Sequence, residues 1–131
     1  MFDTLANKKI VLFGFAFKAD TGDTRETPAG MVARLLADEH VNITITDPKA
    51  LPNARRGLAD LDGIVYESEE YKAAEGADAI VLMTDWRHYP SLDWKKIYDS
   101  MRKPALIFDT RNCLDGEGLR KIGFKVLNVG K

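Results

Sequence analysis

Short, continuous apolar runs alternate with helix-patterned stretches along this chain, and that alternation limits the fold more than any other feature. Lys9 to Phe13, Val41 to Thr46, Ala79 to Met83 and Ala105 to Phe108 are strand-length and rich in branched apolar residues. Continuous runs of this kind suit parallel strands covered on both faces. Ile64-Val65-Tyr66 and Phe124 to Val129 are two further strand candidates. Between the runs lie helical signals. Thr27-Pro28 reads as an N-cap followed by proline at the first helical position, and Met31, Val32, Leu35 and Leu36 give that helix an apolar stripe. Glu69 to Glu75 reads as a short helix stopped by Gly76. Ser91 is placed to cap a helix carrying Trp94, Ile97, Tyr98 and Met101 on one face, closed by Pro104. A last short helix spans Glu117 to Lys121. Leu51 to Leu61 has no clear period, and Arg55-Arg56-Gly57 reads as a solvated turn. Strands separated by helices require right-handed crossovers. The expected fold is therefore α/β: a Rossmann-like three-layer domain with a mainly parallel sheet of about five or six strands and helices on both faces. No repeat or linker interrupts residues 1–131, which are expected to form a single domain.

The composition narrows the function classes. Hydrophobic residues make up 45% and charged residues 30% of 131, a globular balance. A formal net charge of -1 gives no electrostatic case for a nucleic-acid or membrane-surface partner. Cys113 is the only cysteine, so no internal disulfide forms, which suits a reducing, cytoplasmic compartment. No apolar run approaches the roughly 20 residues of a bilayer span, and Met1 to Asn7 lacks the regions of a signal peptide. A soluble, cytoplasmic protein is expected.

In open α/β sheets ligands bind beyond the carboxyl ends of the strands. Three polar segments fall there: Phe17 to Thr27, Thr84-Asp85-Trp86-Arg87-His88, and Asp109-Thr110-Arg111-Asn112. The first exceeds the usual connection of about 2–6 residues. It combines Lys18 and Arg25 with Asp20, Asp23 and Glu26 and with the hydroxyls of Thr21, Thr24 and Thr27. Its glycines, Gly14 and Gly22, form neither G-x-G-x-x-G nor a P-loop, so a dinucleotide pyrophosphate is not expected on this turn. Two readings stand side by side: a solvated acidic loop with local ion pairs, or a site whose Lys18 and Arg25 reach phosphates. Arg111 likewise has two readings, a partner for Asp109 or a loop carbonyl, or a guanidinium suited to hold a phosphate or stack on a base. His88, near Asp85 in sequence, reads as a surface histidine. His40 suits a helix C-terminus. Cys113 lacks a base to activate it, Trp86 and Trp94 read as packing residues, and no metal-ligand cluster is evident.

Leu12 to Pro28, with Gly14-Phe15-Ala16-Phe17-Lys18 and Asp20-Thr21-Gly22-Asp23-Thr24-Arg25-Glu26-Thr27 at its centre, closely resembles the signature of UDP-glucose 6-dehydrogenases. The likeness continues through Thr46-Asp47-Pro48-Lys49, Gly76-Ala77-Asp78-Ala79, Thr84-Asp85-Trp86, Phe108 to Asn112 and Ile122-Gly123-Phe124, almost the whole chain in family order. Related GDP-mannose and UDP-N-acetylmannosamine dehydrogenases usually differ at Gly22 to Arg25. A standalone nucleotide-binding module is the alternative from another class. The resemblance implies the C-terminal, UDP-binding domain of an enzyme that oxidises UDP-glucose to UDP-glucuronate with NAD. That enzyme also has an N-terminal NAD-binding domain and a central helical domain, and is expected to be a homo-oligomer. The resemblance further implies that Phe17 and Lys18 contact substrate, that Arg111 binds the UDP portion, and that Arg25 reaches NAD across the domain cleft. The family's catalytic cysteine lies in a Gly-rich context that this chain lacks, so Cys113 does not inherit its role and the fragment alone is expected to be inactive.

Overall fold

The computed structural model describes residues 6–16 and 28–128. Within them six strands form one all-parallel sheet: β1 (Lys9–Phe13), β2 (Asn42–Thr46), β3 (Val65–Tyr66), β4 (Ala79–Leu82), β5 (Leu106–Asp109) and β6 (Lys125–Asn128), in the order β3-β2-β1-β4-β5-β6. Five helices connect them: α1 (Pro28–Asp38), α2 (Leu51–Gly57), α3 (Glu70–Ala74), α4 (Trp94–Ser100) and α5 (Gly116–Ile122). Strand order runs one way from β1 to β3 and the other way from β4 to β6. Right-handed crossovers therefore put α1 and α2 on one face and α3, α4 and α5 on the other. The contacts of α3 with α4, and of α4 with α5, agree. The expected Rossmann-like α/β architecture is observed.

The continuous apolar runs form the buried centre, where Val11, Leu12, Phe13, Ile45, Ile80, Leu82 and Ile107 are fully enclosed. Phe13 packs against Tyr89 and Trp94, with ring centroids 5.5 and 5.9 Å away. These contacts bind the end of β1 to α4 and to the 3-10 turn Tyr89–Ser91.

Several local expectations need correction. Met31 and Leu35 are 67% and 66% exposed, whereas Ala29 and Ala33 are buried and Val32 and Leu36 pack beside them. The helix is turned by roughly a quarter revolution from the predicted stripe, because small alanines let its backbone approach the sheet closely. Phe108 is 37% exposed rather than enclosed. It lies in register with Val81, which is partly buried, and Leu127, which is 43% exposed. Arg55 and Arg56 belong to the last turn of α2, not to a loop, and Arg55 lies over the Tyr66 ring at 4.7 Å. Ser91 ends the 3-10 turn, while Asp93 caps α4 by accepting from the Lys96 amide. A carboxylate satisfies a helix N-terminus better than a hydroxyl does where the dipole adds to the hydrogen bond. The Thr27 cap and Val129 lie outside the described residues.

Candidate functional site at the carboxyl edge of the sheet

The direction of strand order reverses between β1 and β4, which makes their carboxyl ends the natural ligand crevice. Gly14 leaves β1 with φ +96°, and a Cβ there would stand 2.5 Å from Thr84 Cβ. Only glycine lets β1 and the segment after β4 come this close. The Thr84 hydroxyl, fully buried, donates to the Ala16 carbonyl at 2.8 Å.

Asp47, directly after β2 and 2% exposed, holds this edge together. Its Oδ2 accepts from the Phe15 amide at 2.7 Å, the Ala16 amide at 3.1 Å and the Trp86 indole at 3.0 Å. Its Oδ1 accepts from the Lys49 and Ala50 amides, both at 2.8 Å. One carboxylate thus joins the exits of β1, β2 and β4. It also occupies the first amides of the β1 turn, which in a dinucleotide-binding fold would face a pyrophosphate. Asp47 was not singled out from sequence. An aspartate between a buried strand and a proline was the available signal, and it does not reveal which distant donors the carboxylate meets.

Asp109 plays a parallel part at the end of β5. It is fully buried and accepts from the Arg111 amide at 3.0 Å and the Leu114 amide at 2.9 Å. The Thr110 hydroxyl donates to the Leu82 carbonyl at 2.7 Å. Arg111 is thereby presented on a fixed turn. Its guanidinium does not pair with Asp109. It stands 3.6 Å from Asp85, and both side chains are about two-fifths exposed (39% and 41%). Among the described residues it makes no side-chain hydrogen bond, and 3.6 Å lies beyond normal hydrogen-bond length. Cys113 lies behind this turn. Burial, then the charges of Asp109 and Asp85, push its thiol up to about 11. A thiol so shifted is a poor nucleophile at neutral pH, in keeping with the sequence reading.

Phe17, Lys18 and Arg25 lie outside the described residues, but the chain enters their segment from Ala16, whose amide and carbonyl are both fixed. His88 pairs with Glu70 at 2.6 Å, not with Asp85, and ties the segment after β4 to the start of α3. Trp86 is 4% exposed and serves Asp47, a packing and hydrogen-bonding role rather than a base platform. Tyr89 is fully buried. Burial first, then Asp47 and Glu70, hold its hydroxyl neutral far above the usual tyrosine range. Among the described residues no helix is long and apolar enough to cross a membrane.

The same edge can be compared with known proteins. A sequence profile of the UDP-glucose/GDP-mannose dehydrogenase family, UDP binding domain, matches residues 11–116. UDP-glucose 6-dehydrogenase 1 of Arabidopsis thaliana is 41% identical over all of this chain and 31% of its own length. The UDP-glucose 6-dehydrogenase of Caenorhabditis elegans is 41% identical over 99% of this chain and 29% of its own. Among solved structures, a UDP-D-ManNAc dehydrogenase from Pyrococcus horikoshii superposes with a TM-score of 0.77 at 27% identity, covering 97% of this chain and 26% of that one. The chain thus spans about a third of the length of the curated relatives it matches. With a matching profile over most of its length, this chain belongs to the UDP-glucose/GDP-mannose dehydrogenase family and carries its UDP binding domain.

Proposed function

We propose that this domain grips the UDP portion of UDP-glucose in an NAD-dependent UDP-glucose 6-dehydrogenase. One observation carries the reading: a guanidinium, Arg111, is presented on a rigid turn at the carboxyl edge with no hydrogen-bonded side-chain partner among the described residues. A planar, permanently charged donor so placed suits a diphosphate oxygen. Phe17 and Lys18, next along the chain from the fixed Ala16, would contact the sugar nucleotide. Arg25 would reach NAD held mainly by an N-terminal domain, with a central helical domain completing a homo-oligomer. The 41% identity to UDP-glucose 6-dehydrogenases over nearly the whole chain supports glucose as the sugar.

Isothermal titration of the chain with UDP, UDP-glucose, GDP-mannose and NAD tests this. UDP is expected to bind with a Kd above about 0.1 mM, roughly -5.5 kcal/mol, because one wall of the site belongs to the rest of the enzyme. Arg111→Ala and Lys18→Ala should each cost about 1.5–3 kcal/mol of that affinity and leave the melting temperature unchanged. Tighter binding of GDP-mannose than of UDP-glucose would defeat the sugar assignment. UDP affinity indifferent to both substitutions would defeat the site. The chain alone should form no NADH from UDP-glucose and NAD, since hydride transfer needs the nicotinamide about 3–3.5 Å from the sugar carbon.

A further inference from the structure

Asp85 is unusually placed for a carboxylate at an anion-binding edge. It is the one acidic side chain paired with Arg111 among the described residues, at 3.6 Å. That separation gives attraction without a fixed hydrogen bond, and about two-fifths exposure leaves the pair hydrated. Such a pair separates at little cost. Asp85 nevertheless cannot withdraw far. It sits between Thr84, fully buried and bonded to the Ala16 carbonyl, and Trp86, 4% exposed and bonded to Asp47. Arg111 is equally anchored through the Asp109 carboxylate and the Thr110 hydroxyl.

We propose that Asp85 is the resident counter-ion of Arg111, displaced from the guanidinium but not removed when a diphosphate binds, and that it selects esterified diphosphates over free ones. The proposal rests on the reading of Arg111 as a phosphate ligand. An anion that takes the guanidinium finds a fixed negative charge a few ångströms away, and each further charge on the ligand is repelled. A free nucleoside diphosphate has a terminal phosphate that ionises a second time near pH 6. A nucleotide sugar has that oxygen esterified and carries one negative charge fewer. The carboxylate therefore disfavours free nucleoside diphosphate more than it disfavours the sugar conjugate, and so limits occupation of the edge by ligands that lack a sugar.

The test is calorimetric titration of the chain and of Asp85→Asn at pH 7.5 and low salt, with UDP, UDP-glucose and inorganic pyrophosphate. Asp85→Asn should tighten UDP and pyrophosphate about fivefold and UDP-glucose at most about twofold, as expected for one unit of charge near a partly hydrated carboxylate. Asp85→Glu, which keeps the charge, should retain the discrimination. If the Asn variant melts early, the Glu variant still decides the matter: loss of discrimination in it overturns the proposal. Equal changes for UDP and UDP-glucose, or no change for any anion, also overturn it. If neither nucleotide binds the unsubstituted chain while pyrophosphate does, and Asp85→Asn tightens pyrophosphate, the nucleotide reading fails and the counter-ion role stands. Unchanged pyrophosphate binding in that case overturns the counter-ion role.

Discussion

Asp47→Asn removes one charge and exchanges one acceptor oxygen for an amide. The native carboxylate accepts three donors on Oδ2 and two on Oδ1, all within 3.1 Å, at a position 2% exposed. The asparagine oxygen can keep the side with three donors, Phe15, Ala16 and Trp86. Its NH2 group then faces the part-buried Lys49 amide and the buried Ala50 amide, leaving both donors unmet at about 1–3 kcal/mol each. The three retained bonds also lose the strength that a charged acceptor provides. Together these give a loss of about 3–5 kcal/mol, a large fraction of the roughly 5–15 kcal/mol that stabilises a typical domain. Urea unfolding followed by circular dichroism should show a lower midpoint with an unchanged slope. The melting temperature should fall by roughly 10–20 °C for a chain of this size. Asp47→Ala, which leaves all five donors unmet, should be at least as damaging. A loss under about 1 kcal/mol for Asp47→Asn would refute the view that this carboxylate holds three strand exits together.

Gly14→Ala should destabilise the chain by about 3 kcal/mol or more, since φ is +96° and the new Cβ would fall 2.5 Å from Thr84 Cβ and 2.9 Å from its backbone nitrogen; an unshifted urea midpoint would contradict the close approach of β1 and β4. Cys113 should alkylate slowly at pH 8 in the folded chain and faster as pH rises toward about 11. The sign for stability follows: the folded thiol keeps its proton above the ordinary value of 9.0, so its contribution is intact below about pH 9 and is lost between about 9 and 11. Iodoacetamide rates that follow the same pH profile in folded and urea-unfolded chain would exclude the shift.

The alternation of apolar runs determined the parallel sheet by itself, because a strand covered on both faces must be apolar at every position and a helix between strands must cross right-handed. Ile10 to Phe13 and Ala79 to Met83 were legible for that reason. The cluster around Arg111 was legible as a motif, since strand-end loops carry the chemistry in this architecture. Which side of α1 faces inward was not. The pattern of Met31, Val32, Leu35 and Leu36 competes with the small size of Ala29 and Ala33, and only the approach distance of the sheet decides between them. The same holds for Asp47, whose donors Phe15, Ala16 and Trp86 lie more than thirty residues away on either side. It holds again for Arg111, whose neighbour is not the adjacent Asp109 but Asp85. Periodicity and local motifs record what a residue's own segment requires. The partners of a buried or strand-end charge come from other segments, and they are fixed only when the order of the strands brings those segments to the same edge.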